Sequence, residues 1–389
     1  MKFIKFLLVA LSVCKMHIAW SQGVTQPLKI RVDPAAAVGV PASSLLEEAS
    51  YIPLENTPQS QFSDVLQLIV GSRYIVVLDQ QVSAILIFFR TGKFHHRINI
   101  SAPIFQFFLD DKRDQLSFDI YPSTLVYDMD GKLIQKTTAG GVPHGQFGVS
   151  KMKLPDNTTV YYNTTVKIPN DSSIDELLFY RGDSLVNKCL PFPAAYKMDE
   201  LDAFGFKNFI STITNGDTAV YYIRNYDYTV YRIQANRLLP AYQFIFPLQN
   251  ALPDDFRQTL VNRTEYATKE KNRIIRFFVF HRDNDLLTFD DGHGSYLYSL
   301  PSRRLFDLDQ VHADSLTYYL PISGERLGLE NYDGKYFYSF CRPEILFDKM
   351  EATDKSRRMY PAALQQFFQN KNNATGNPVL IVLRFKSHL

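Results

Sequence analysis

An all-β propeller is the fold class this chain predicts, and three observations predict it. The first is an aromatic excess of 30 Phe and 23 Tyr against a single Trp in 389 residues. Phe and Tyr fit pleated, half-buried surfaces, and Tyr packs its ring while its hydroxyl stays wet. The second is a succession of short apolar runs bounded by turn residues, with no segment of helical period long enough for a solenoid. The third is recurrence. Leu78-Asp79 is echoed by Phe118-Asp119, and FFRTGK at 88–93 by YDMDGK at 127–132, so the turn glycines Gly92 and Gly131 stand 39 residues apart. A period of about forty residues with four strands per unit marks a propeller blade, which buries its faces only by stacking on neighbours.

The chain opens on an export signal. Met1–Lys5 is a basic start, Phe6–Cys14 an apolar stretch, and Ala19-Trp20-Ser21 a small-x-small cleavage site, so residues 1–21 read as a signal peptide. The apolar stretch is too short to cross a bilayer, which takes about twenty residues, and no transmembrane span is expected elsewhere. A second reading takes Leu11–Cys14 as a lipobox with a lipid anchor at Cys14. Removing the signal takes away Lys2, Lys5 and Lys15 and no acid, leaving 39 basic and 40 acidic residues. A near-neutral mature chain has no field to gather nucleic acid. Cys189 and Cys341 remain, in no metal-binding spacing, and read as buried thiols beside strands.

Residues 22–50 form a lead-in, and the propeller occupies 51–389. The first unit has strands at Leu66–Val70, Tyr74–Leu78, Ala84–Phe89 and Phe94–Ile100, with Gly92 supplying positive φ in a hairpin. Looser units follow at Thr159–Tyr162, Glu176–Tyr180 and Leu185–Leu190; at Ala219–Ile223, Thr229–Ile233 and Ala241–Phe246; and at Arg273–Phe280, Leu286–Phe289 and Ser295–Leu300. Tyr336–Phe340 and Pro378–Phe385 belong to a last unit, split by an insertion near 342–370. One helix is expected there at Pro361–Gln369, where Pro361 suits the first turn and Leu364, Phe367 and Phe368 share a face. Tyr51–Leu54 and Val379–Phe385 are the strands expected to close the ring by sharing one blade.

Tyr51–Asn56 (YIPLEN), Val230–Ile233 leading to Pro240–Phe244, and Asn377–Val382 (NPVLIV) together resemble a six-bladed β-propeller family, related to NHL-type propellers, of exported Bacteroides-group proteins. The resemblance spans about residues 45–389. It implies six four-stranded antiparallel blades and a periplasmic or cell-surface location, and it brings no activity with it. The family's Gly-Pro-rich loop between the first two blades is replaced here by Asn99–Ile104, so no role is carried over to it.

No catalytic constellation stands out. His281-Arg282-Asp283 lacks the partners of a kinase loop, with Thr288 at the Asn position, and reads as a turn. Asp128–Gly131 lacks the third acid and the Glu of a calcium loop. His95 and His96 are neighbours in a strand and point to opposite faces. Gly140–Gly145 has no Lys to cradle phosphate. The sequons at Asn157, Asn163, Asn262 and Asn373 imply exposed polar loops. Asp290, Asp291 and His293 form the one cluster fit for acid–base or metal chemistry. No cofactor and no metal site is expected.

The leading expectation is an exported, non-catalytic binding module that takes a glycan, peptide or partner protein at the central mouth. Arg181, Arg224, Tyr226, Arg282 and His144 are the candidate contacts, because Arg and Tyr on rigid loops make polar-ligand surfaces. The alternative is a lyase or hydrolase acting on polysaccharide through Asp290, Asp291 and His293.

Overall fold

Gly92 and Gly131 turn the outer hairpins of the first two sheets with φ of +84° and +77°. A Cβ at Gly92 would strike the Pro53 carbonyl, and one at Gly131 the His96 ring, so space and backbone both require glycine. Asp128 secures the second turn by accepting the Asp130 and Lys132 N–H groups at 3.1 and 2.8 Å.

The structure is a computed structural model describing residues 26–389 except 64, 80, 103, 105, 121, 139–150, 164–173, 193–208, 215–216, 260–261 and 325–327. Among the described residues the strands form six sheets in a ring, a six-bladed β-propeller. Blade 1 runs from Val65–Val70 to Phe94–Asn99, blade 2 from Phe107–Asp110 to Leu133–Thr138, and blade 3 from Lys151–Lys153 to Ser184–Pro191. Blade 4 runs from Phe209–Thr214 to Arg237–Ile245 and blade 5 from Val279–Asp283 to Leu305–Asp307. Blade 6 combines Asn331–Tyr332, Phe337–Cys341 and Val379–Phe385 with Leu46–Pro53 from the start of the chain. The closure is antiparallel, with Tyr51 opposite Ile381, as the expected pairing of the two ends requires.

Strand alternation explains why the runs are apolar throughout. Val76, Leu78, Ile85 and Ile87 of blade 1 pack on Phe107, Leu116 and Phe118 of blade 2. Their neighbours Ile75, Val77, Leu86 and Phe88 pack the other way, on Tyr338, Phe340, Leu380 and Val382 of blade 6. A blade thus buries both faces, each buried Leu, Ile or Phe contributing roughly 1.5–3 kcal/mol.

Near the axis, side chains of the innermost strands clip one blade to the next. The Gln67 amide donates to the Phe107 carbonyl at 3.1 Å and accepts its N–H at 2.8 Å. Gln106 does the same with Lys151, at 3.3 and 3.4 Å. His281 Nε2 meets the Leu329 carbonyl at 2.9 Å between blades 5 and 6, and Asn331 Oδ1 accepts the Val70 N–H at 3.3 Å between blades 6 and 1.

Residues 28–45 strap the outside of the ring. Leu28–Arg31 adds a fifth, parallel strand to blade 4, with Leu28 opposite Tyr242. Val38 bridges Phe306 on blade 5 and Pro41 bridges His312, before the closing strand of blade 6 begins. The outer edges of blades 4 and 5 therefore lie under the chain's own strap.

Some local expectations change. Strand structure in the fifth unit starts at Val279, and Arg273–Phe278 is irregular chain crossing the end of the ring. His281-Arg282-Asp283 ends that strand, and the turn falls at Asn284-Asp285. The insertion near 342–370 holds a helix at Pro343–Ala352 besides Ala362–Gln369, with Leu346 and Phe347 buried on it. A further helix, Arg263–Lys269, is capped by Asn262, whose side chain accepts the Glu265 N–H at 3.1 Å. Asn163 is not an exposed sequon: it is buried and donates to the Asp175 carbonyl at 2.9 Å. Cys189 and Cys341 are thiols in blades 3 and 6. No helix among the described residues is long and apolar enough to cross a membrane.

Candidate functional site

The first strand of each blade lies innermost and the fourth outermost. Hairpins between first and second strands, and between third and fourth, therefore share one end of the ring, called lower here. The remaining loops and the blade-to-blade connections share the upper end. A cavity of about 1270 Å³ runs between, lined by inner-strand residues that include Gln67, Gln106, Lys151, His281 and Asn331.

At the lower mouth, side chains of blades 6 and 1 pair with one another. Arg90 donates to the Tyr338 hydroxyl at 2.8 Å and to the Gly71 carbonyl at 3.2 Å. Tyr338 in turn donates to Asp333, which also accepts the Lys335 and Tyr336 N–H groups at 2.9 and 2.8 Å. Arg73 pairs with Asp114.

At the upper end, over blades 3 to 5, the chain gathers arginines around one carboxylate. Glu176, at the start of a blade 3 strand, is 2% exposed. It takes Arg224 Nε at 3.0 Å and Nη2 at 2.8 Å, Arg257 Nη2 at 3.2 Å, and the Tyr222 hydroxyl. Arg224 also reaches Asp227 at 3.4 Å. Burial alone would lower the Arg224 pKa, but Glu176 and then Asp227 hold it above its ordinary range. Burial, then Glu176, pushes the Tyr222 hydroxyl well above its usual value. Arg257 and Arg263 come from the 246–278 connection between blades 4 and 5, and Arg263, fully buried, lies 5.4 Å from the Tyr226 ring centroid.

Arg276, on the same connection, differs from these. Its guanidinium carbon lies 4.0 Å from the centroid of the Phe278 ring, which lines the cavity. Its Nε is buried without a hydrogen-bond partner. Burial draws its pKa below the usual range, opposed only by the fields of Tyr226 and Tyr162, with no carboxylate acting on it among the described residues.

The sequence-derived candidates separate in space. Arg224 and Tyr226 share the upper loop of blade 4, where Tyr226 is buried against Phe256 at 5.3 Å between centroids and takes φ of +59°. Arg181 lies at the lower end of blade 3, held by Asp156 at 3.1 Å. Arg282 lies at the lower end of blade 5, donating to the Asn284 carbonyl at 3.1 Å. His144 lies outside the described residues. Asp290 and Asp291 sit at the upper end of blade 5, each bent back into its own turn. Asp290 accepts the Gly292 N–H and the Ser295 hydroxyl, both at 2.8 Å, and Asp291 accepts the His293 and Gly294 N–H groups at 2.9 and 3.1 Å. Burial raises both carboxyl pKa values, and these turn hydrogen bonds oppose it. His293 points outward to the Arg273 carbonyl at 3.2 Å. No group of three or more His, Cys, Asp or Glu among the described residues is placed to hold a metal ion. Glu176, Arg257 and Arg276 carry the upper site and were not legible as site residues. The one signal was an arginine pair, Arg273 and Arg276, inside a run that otherwise reads as strand.

A model of a domain of unknown function, DUF4934, matches residues 29–384. The chain belongs to the DUF4934 family. No curated protein matches its sequence. Among solved structures, this DUF4934 chain is similar to a protein described as exported from Bacteroides fragilis, at 16% identity and TM-score 0.67, over 92% of this chain and all of that one. It is also similar to a DUF4221 family member from Bacteroides vulgatus, at 10% identity and TM-score 0.45, over 88% of this chain and 97% of that one. The first likeness supports the propeller fold of the DUF4934 chain.

Proposed function

We propose that this DUF4934 chain is an exported, non-catalytic binding module that takes a glycan at the upper mouth of the propeller. The observation that carries the reading is the unequal finish of the two mouths. At the lower one Arg90, Tyr338 and Asp333 are paired with one another, whereas the upper one presents the Arg276–Phe278 pair beside the cavity, with no hydrogen bond or ion pair on Arg276 among the described residues. A side-chain-read ligand suits the site better than an added peptide strand, because Gln67 and Gln106 already occupy inner-strand backbone groups. Export is supported by the signal-like residues 1–21. The enzymatic alternative has less support, since both oxygens of Asp290 and Oδ1 of Asp291 accept from their own turn, which leaves only Asp291 Oδ2 without a partner. The test is an array of neutral and acidic glycans and of peptides, probed with the mature chain. Hits are then mapped by hydrogen exchange. Glycan hits that protect residues 223–229 and 273–279 are expected. Protection confined to the lower hairpins, or peptide hits alone, would refute the reading.

A further inference from the structure

We infer that Arg276 is an oxyanion receptor, so that the glycan taken at the upper mouth is an acidic one, bearing a carboxylate or a sulfate ester. This rests on the reading of the upper mouth as the ligand site. Four arginines meet over blades 3 to 5, yet they are not equivalent. Arg224 and Arg257 are consumed by Glu176, and Arg263 is buried against Tyr226. Among the described residues, Arg276 alone of the four has neither a hydrogen bond nor an ion pair, and its Nε is withdrawn from water. A part-buried charge without a counter-ion, one of its N–H groups withdrawn from water, is a cost to folding, and such a cost is retained where a ligand supplies the missing partner. The geometry suits that role. Stacking on Phe278 fixes the plane of the guanidinium, and the Nη1–Nη2 edge, the one not withdrawn with Nε, has the fork geometry to form two parallel N–H···O bonds with a planar or tetrahedral oxyanion. Phe278 also lines the cavity, so the anion would sit at the rim of the space that holds the rest of the sugar.

The experiment measures thermal melting and calorimetric binding of the mature chain with sodium sulfate, sodium galacturonate and neutral galactose at fixed ionic strength. Arg276→Met and Arg276→Lys are measured alongside. One or both anions should raise the wild-type melting temperature saturably while galactose does not. Sulfate acting alone assigns a sulfate ester, and galacturonate acting alone assigns a carboxylate. Arg276→Met should bind the effective anion about tenfold more weakly or worse, as loss of a charged hydrogen-bond pair requires. Without anion it should melt at or above the wild-type temperature, which a purely structural arginine would not allow. Arg276→Lys should fold and respond weakly, because an ammonium cannot form the paired fork. The inference falls if neither anion shifts the wild type, if Arg276→Met responds as the wild type does, or if both variants fail to fold. Array hits on neutral glycans that bind Arg276→Met unchanged would remove this inference while leaving the mouth reading intact.

Discussion

Glu176 shows how far a single buried carboxylate reaches. It compensates Arg224 and Arg257 and accepts from Tyr222, joining blade 3, blade 4 and the connection that follows. Glu176→Ala should destabilise the protein by about 3–5 kcal/mol in urea denaturation, since it strands two enclosed guanidinium groups. His281 makes a second residue-scale prediction. Burial lowers its pKa to about 4, so the ring stays neutral, Nε2–H donates to the Leu329 carbonyl, and Nδ1 is the bare nitrogen. An unfolded histidine titrates near 6.5, so the unfolded chain takes up the proton first as pH falls. His281 therefore contributes stability that is full above about pH 6.5 and drains away toward pH 4, by roughly 3 kcal/mol in total. His281→Gln keeps an N–H donor and should remove that slope. The check is the wild-type minus variant difference in urea stability across pH 4 to 7, which cancels the contribution of Asp290 and Asp291. Neither residue announced its role in the sequence. Glu176 sits in a run that reads as an ordinary strand, and its partner Arg224 is 48 positions away.

Among elements, the middle strands of the blades were the most legible and the clips on the innermost strands the least. Apolar runs such as Tyr74–Asp79, buried at every position, mark themselves because both faces meet a neighbouring blade. The clips do carry a signal in the sequence: Gln67 and Gln106 are 39 residues apart, the same interval as Gly92 and Gly131. Gln67→Leu should cost about 1–3 kcal/mol, because it leaves the Phe107 N–H and carbonyl without their partner in a buried setting. Gln67→Glu should fare no better, having no amide to donate. Chemical denaturation of both variants provides the check. The helices were under-read for a local reason. Arg263–Lys269 begins with Asn262 and Glu265 in capping positions, and Pro343 opens Pro343–Ala352 at its first residue, but short helices present too few turns for their period to show.

The whole ring depends on its first described residues twice over. Leu46–Pro53 closes blade 6, which the pairing of chain ends anticipated, whereas the strap at 28–45 had no signal beyond its place as a lead-in. A strap is invisible in sequence because its partners are strand edges, whose backbone groups accept almost any residue. Deleting residues 22–41 while keeping the closing strand should bare the outer edges of blades 4 and 5. The expected outcome is a melting temperature lower by several degrees, about what 1–2 kcal/mol produces, together with self-association seen by light scattering. Blade 2 already carries an exposed outer strand at Leu133–Thr138, so an increase on deletion, rather than association itself, is the diagnostic reading.

The function assigned to the molecule stands or falls on where its ligand lies. A crystal structure of the mature chain with an array-selected acidic glycan would locate it. Density over the upper mouth, with an acidic group against the Arg276 guanidinium and the sugar extending past Phe278, is the predicted result. Density on the outer rim, in the Asp290–His293 turn or at the lower mouth, with Arg276 untouched, would contradict it.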